Sequence, residues 1–249
     1  MELFIAYFDY LGFTAFIENN DLEAQKKTIL HNLRDIEMAL GKGKTEKTAR
    51  GVISDISNVK INCINFSDTV VFFSKDNNTE SLIEILEIAT TFNRQAINYF
   101  FPVRGAIVYG DLAFFGYNKE NQKGSVYNIN SIFGKGLIKA YLKANAQNWA
   151  GSVIDESVLI ELKRRGIDEE MFLNPYAKKY NVPTKTGIAV NEFALNLTEG
   201  SLNNESLKNF EEGIRRNFSA YNKSISDISV QKKLNNTILF LKSYLQEEK

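Results

Sequence analysis

Leu3-Phe4-Ile5-Ala6-Tyr7-Phe8-Asp9-Tyr10-Leu11-Gly12-Phe13-Thr14 opens the chain with an apolar run, an aspartate and a glycine. The run is rich in aromatic and β-branched side chains, stops at Asp9 and is followed by Gly12. It reads as a buried strand over 3–8 that leads into a helix. From Thr14 to about Leu40 apolar residues recur at helical spacing, and Asn19 to Asp21 break the stretch into two helices. A polar, Lys- and Gly-containing loop follows at 41–51. Val59 to Phe66 alternates apolar with polar, and Val70 to Phe73 is a second β-rich run after the connector Ser67-Asp68-Thr69, so the two form a hairpin. Leu82, Ile85, Leu86, Ala89, Phe92, Ala96 and Tyr99 make a helical stripe that ends before Pro102, and Val103 to Tyr109 reads as a fourth strand.

The order β, α(α), β, β, α, β predicts an α+β fold: a ferredoxin-like antiparallel sheet, strand order 4-1-3-2, with helices on one face. Past Gly116 the sequence reads as a loop to Asn130, a helix over about 132–145, a strand at 152–154 and two amphipathic helices near 202–221 and 228–245. One domain of 249 residues is expected, with a core over about 1–156 and a C-terminal strand and helical extension over about 157–249.

Lysine plus arginine and aspartate plus glutamate number 30 each, so no overall basic character points to nucleic acid or to a membrane surface. One cysteine, Cys63, and one histidine, His31, exclude an intramolecular disulfide, a Cys/His zinc site within the chain and most His-based triads. The N-terminus has no basic leader, and no stretch reaches the ~20 apolar residues of a bilayer span, so a cytoplasmic location is expected.

In the 4-1-3-2 order the end of strand one and the turn between strands two and three share an edge. Asp9 and Asp68 fall there. Strands lie ~4.8 Å apart, so both carboxylates can reach common divalent ions, and hard ions such as Mg²⁺ or Mn²⁺ bridge carboxylates to triphosphates. Leu11 to Thr14 opens a helix whose free N–H groups attract phosphate, and the Tyr10 carbonyl offers one more metal ligand. Arg104, at the start of strand four, falls near the same edge, where it would contact a phosphate or the base. Each aspartate alone reads equally as a helix cap or a turn residue, and Arg104 alone as a surface ion pair.

Phe8-Asp9-Tyr10-Leu11-Gly12-Phe13-Thr14 resembles the first metal motif of class III nucleotide cyclases, and Phe66-Ser67-Asp68 their second. Arg104-Gly105-Ala106 with Gly110 is similar to the strand that follows in that family. The resemblance spans about residues 1–156 and implies the class III cyclase homology domain, with Asp9 and Asp68 as catalytic metal ligands for two ions, Mn²⁺ or Mg²⁺. Where adenylate cyclases of the family carry a base-reading lysine this chain has Ile64, and their purine-reading aspartate aligns with Asn130. The asparagine and arginine of their transition-state helix fall on Leu137 and Tyr141. Gly134 to Tyr141, leading into Ser152 to Asp155, resembles instead the Pycsar pyrimidine cyclases. That branch makes a cyclic pyrimidine nucleotide on phage infection, and a separate effector protein reads it.

The resemblance therefore implies a uridylate cyclase, ahead of a cytidylate one, that works as a head-to-tail homodimer, each composite site combining the metal edge of one subunit with the helix around Gly134 to Tyr141 of the other. Phe13 would line the triphosphate site and Phe66 would crowd the base pocket. Asn130 would meet the base, and Lys135 and Lys139 would reach across the interface in place of the missing arginine. Lys135 and Lys139 read equally as a solvated helix face. A purine cyclase and a catalytically silent nucleotide-binding relative are the alternatives.

Overall fold

Alternation along the first strand organises the molecule. The computed structural model describes residues 1–49, 51–99 and 101–246, and its first strand, β1, runs over Glu2–Tyr10. Successive side chains of a strand point to opposite faces. Phe8 and Tyr10 therefore meet Phe92 on one side, with ring centroids 4.9 and 6.2 Å apart, while Tyr7 meets Tyr141 at 6.0 Å on the other. Because the strand is covered on both faces, it reads as a continuous apolar run.

The remaining elements are α1 (Phe13–Asn19), α2 (Leu22–Leu40), β2 (Thr45–Thr48), β3 (Gly51–Ser54), β4 (Asn62–Phe66), β5 (Thr69–Phe73), α3 (Thr79–Tyr99), β6 (Val103–Asp111), β7 (Ala113–Glu120), β8 (Val126–Phe133), α4 (Lys135–Ala146), β9 (Gly151–Ile154), α5 (Glu156–Arg164), α6 (Glu169–Leu173), β10 (Ala177–Val182), β11 (Val190–Leu195), α7 (Asn204–Ser219) and α8 (Ile228–Lys242). The main sheet has the order β10-β11-β9-β6-β1-β5-β4. Its right-hand part, β6-β1-β5-β4, is the expected 4-1-3-2 arrangement, antiparallel throughout. β9 joins β6 in parallel, and the β10–β11 hairpin extends the sheet further.

Several expectations are corrected. β1 does not stop at Asp9 but continues through Tyr10, because Arg104 across the sheet compensates the carboxylate and Tyr10 is buried against Phe92 and Phe101. Helices occupy both faces of the sheet, not one, with α4 against β1 and β6 on the face away from α3. The close approach of α4 needs a glycine: a Cβ at Gly136 would lie 2.7 Å from Ile5 Cδ1. The stretch expected to be a loop at 116–130 is the β7–β8 hairpin, a two-stranded arm outside the main sheet. Phe115, Tyr117, Val126 and Tyr127 on it are all exposed. The 41–51 region contains β2 and the start of β3, a second small hairpin.

The C-terminal helices pack on the helix layer: α7 lies against α3 and α8 against α7. Their connection crosses α1, where Asn20 Nδ2 donates to the Tyr221 carbonyl at 2.6 Å and Asn19 Nδ2 to that of Asn222 at 3.1 Å. Tyr221 stacks on Phe101 at 5.9 Å. Lys223 follows, only 7% exposed, with its ammonium 3.8 Å above the Phe101 ring and no hydrogen-bond acceptor among the described residues. Burial lowers this ammonium from 10.5 to about 7.

The sign of the effect follows from linkage. Between about pH 7 and 10.5 the unfolded chain binds a proton at Lys223 that the folded chain does not, so this residue makes stability rise with pH across that window. Lys223→Met keeps the stem and removes the titration. Its gain in melting temperature over the wild type is expected to be largest near pH 7 and to shrink towards pH 10, and equal gains at both ends would refute the assignment. No helix among the described residues is long and apolar enough to cross a membrane.

Candidate active site

Asp9 enters the site from the last turn of the pleat in β1, on the same face as Tyr7 and opposite Arg104 of β6. Arg104 donates to Asp9 Oδ2 through both Nε and Nη2, each at 2.8 Å. Arg104, expected to contact a phosphate or the base, has the Asp9 carboxylate as its partner in this structure. Asp68 occupies the two-residue turn between β4 and β5. Ser67, the first residue of that turn, adopts a left-handed φ of 55°, a conformation that costs a non-glycine residue energy and occurs where surroundings enforce it. The backbone carbonyl of Asp68 accepts the Tyr10 N–H at 2.9 Å, which ties the turn to the end of β1.

Both aspartates are half-buried. Burial holds the Asp9 carboxyl above its ordinary value; Arg104 pulls it down, and the negative charge of Asp68 adds to the rise. Two carboxylates that repel one another are therefore set side by side on one sheet edge. No group of three or more His, Cys, Asp or Glu side chains that could hold a metal lies together among the described residues. An all-protein metal cage is thus not what this edge offers. A pair of carboxylates with open sides suits a hard ion that completes its shell with substrate oxygens and water.

Beside the carboxylates lies a cavity of about 680 Å³, lined by Tyr7, Ile64, Phe66, Asn130, Leu137 and Tyr141 among others. Phe66 stands at its rim, 80% exposed. Within one chain the structure thus brings together Ile64, Phe66 and Asn130, three positions expected at the base pocket, and lines the same cavity with Leu137 and Tyr141 of the helix expected to serve a second subunit's metal edge. The Lys139 ammonium, expected to reach a second subunit's site, pairs with Asp155 of its own chain at 2.7 Å. Lys135 is exposed at the start of α4. Phe13, expected to line the triphosphate site, packs on Phe16 and Phe101, with ring centroids 5.8 and 6.3 Å apart.

Two residues were not expected. Tyr7 joins cavity to carboxylates: its hydroxyl lies 3.4 Å from Thr69 Oγ1, and its pKa is raised first by burial and further by Asp9 and Asp68. Strand alternation from Asp9 would have found it. Lys185, on the turn between β10 and β11, adds positive potential at Asp9, and nothing in the sequence marks it because neither strand was located within the C-terminal extension.

No protein-family model matches the chain, and no curated protein matches its sequence. Solved structures do match the fold. The guanylate cyclase domain of RhGC from Catenaria anguillulae in complex with GTP superposes with a TM-score of 0.52 at 8% identity, over 78% of this chain and 96% of that one. The catalytic core of a rhodopsin-guanylyl cyclase with converted specificity, in complex with ATPαS, gives 0.52 at 8% identity over 78% and 95%. The chain has the fold of a class III cyclase homology domain, a mixed α+β architecture around a largely antiparallel sheet.

Proposed function

We propose that this chain is a metal-dependent nucleotidyl cyclase that converts a pyrimidine nucleoside triphosphate, UTP ahead of CTP, into its 3′,5′-cyclic monophosphate and pyrophosphate. The observation that carries the reading is the meeting of the Asp9–Asp68 edge with the Phe66 cavity at Tyr7 and Thr69. Two divalent ions, Mn²⁺ or Mg²⁺, held by Asp9 and Asp68 with the Tyr10 carbonyl, would lower the pKa of the ribose 3′-hydroxyl and neutralise charge on the departing pyrophosphate. The 3′-oxygen forms a bond to the α-phosphorus, the bond from that phosphorus to the bridging oxygen breaks, and the hydroxyl proton passes to water.

The protein groups divide the rest of the work. Arg104 exchanges the Asp9 carboxylate for phosphate oxygen once the aspartate is engaged elsewhere, as a guanidinium suited to either anion does. Phe66 and Ile64 narrow the cavity, and the Asn130 amide supplies one donor group and one acceptor to a base edge. The exposed arm β7–β8 and the exposed Ile138 and Leu142 of α4 are the surfaces a second copy would cover in a homodimer with composite sites. A separate effector would read the cyclic product.

Incubation with each of the four nucleoside triphosphates and Mn²⁺ tests the reading, and no cyclic product from UTP or CTP sinks the pyrimidine assignment. A purine cyclase is the second reading, favoured by the Asn130 amide, which can pair with either ring type, and by the GTP and ATPαS held by the two structural counterparts. Pocket shape alone discriminates about 10–200-fold between such ligands. Phe66→Ala is therefore expected to narrow the ratio of pyrimidine to purine kcat/KM by about tenfold. An unchanged ratio would remove Phe66 from the pocket's selectivity.

A further inference from the structure

The corner of the sheet next to Asp9 is built by elements from three parts of the chain. β6 and β9 start there side by side, with Arg104 opposite Gly151. From one side the β10–β11 turn is tied in: the Asn148 N–H donates to the Pro183 carbonyl and the Lys185 N–H to the Ala146 carbonyl, both at 2.9 Å. From the other side α8 closes over the corner. Its Thr237 hydroxyl accepts the Ala150 N–H at 2.8 Å, and Asn236 Nδ2 donates to the Asn148 carbonyl at 2.8 Å.

Lys233 precedes Thr237 by one turn of α8, and its carbonyl accepts the Thr237 hydroxyl at 2.9 Å. Residues four apart share a helix face, so Lys233 stands on the face that α8 turns to this corner. Lys185 lies below its ordinary pKa through partial burial, then Arg104 and Lys233; Lys233 does so through burial, then Arg104.

The negative charges nearby are few. Asp9 is engaged with Arg104. Asp227, the other carboxylate felt by Lys233, already accepts the N–H groups of Ser229 and Val230 as the cap of α8. Arg104 of β6, Lys185 of the β10–β11 turn, whose Nζ donates to Asn145 Oδ1 at 2.7 Å, and Lys233 of α8 thus stand around one corner where Asp9 is already paired with Arg104, a gathering of like charge that an anion of several charges would neutralise.

We propose that Lys233, carried by α8, binds the outer phosphates of the nucleotide, completing with Arg104 and Lys185 a subsite for an oligophosphate tail. The C-terminal helix is then part of the binding site and not only a cover for the core. This inference rests on the triphosphate reading above, and its test is separable from that reading because inorganic tripolyphosphate has no ribose to cyclise.

The full chain is titrated with tripolyphosphate and with pyrophosphate by calorimetry, for the wild type, Lys233→Gln, Lys233→Met, Lys233→Arg and Lys232→Gln. Lys232 is the exposed neighbour that controls for net charge. Loss of one charge-assisted contact is expected to weaken tripolyphosphate binding about tenfold in the Gln and Met variants, while Arg stays within about threefold of the wild type. Two neutral variants are made so that a folding failure in one leaves the other to decide. Equal affinity of wild type and Lys233→Met, equal loss in Lys232→Gln, or a loss confined to pyrophosphate overturns the proposal. Lys233-dependent tripolyphosphate binding without cyclic product from any nucleotide leaves the subsite standing and removes the cyclase. Cyclisation with KM unchanged in Lys233→Gln does the reverse.

Discussion

The Asp68→Ala chain is expected to fold with a melting temperature close to that of the wild type and to lose cyclisation by about 10³-fold, several kcal/mol of transition-state stabilisation. The separation of the two effects comes from how the residue is held. Its backbone carbonyl, not its carboxylate, ties the β4–β5 turn to Tyr10, and the substitution leaves that bond in place. The carboxylate has no hydrogen bond or ion pair among the described residues, so its removal strands no partner. What disappears is half of the anionic donor set. Product formation followed by chromatography, beside a thermal melt, checks both halves, and a variant with full turnover would end the metal mechanism proposed for this edge.

Arg104→Met is the second large effect, and its signature is a pH profile. Asp9 must be ionised to hold a cation, and burial already raises its pKa while Arg104 opposes the rise. Without the guanidinium the carboxyl moves further up, so the acid limb of the activity profile is expected to shift to higher pH. Activity should fall by about 100-fold or more near pH 6, where both the charge on Asp9 and a phosphate contact are lost, and recover in part near pH 8. A uniform loss at every pH would mean that Arg104 binds substrate without tuning Asp9. The stability change has the opposite direction with pH: a half-buried aspartate without its counterion destabilises the chain most where it is ionised.

What the sequence revealed follows from where periodicity survives. β1, β5, α3 and β6 are buried deeply enough that their apolar spacing is unmistakable, and together they define the sheet order that brings Asp9 beside Asp68. The β7–β8 arm left no such trace. It is wet on both faces, so Phe114-Phe115-Gly116-Tyr117 and Tyr127 to Asn130 show no inside and outside to alternate between. β10, the strand at one edge of the main sheet, carries Lys178, Lys179 and Asn181, and its composition resembles a loop. The missed residues Tyr7 and Lys185 divide along the same line: Tyr7 was within reach of an argument from alternation, whereas Lys185 required strands that the sequence does not announce. The placement of Lys139 against Asp155 depends on a tertiary contact that helical spacing alone does not contain.

The double-sided exposure of the β7–β8 arm carries a further consequence. A lone two-stranded ribbon is only marginally stable in water, yet Asn130, Ser131 and Ile132 of this ribbon form one wall of the cavity beside Asp9. If a second copy is what steadies the arm, the pocket is complete only when two chains meet, and turnover per chain rises with abundance. Dilution would then silence the protein without any inhibitor, and a burst of synthesis would switch it on.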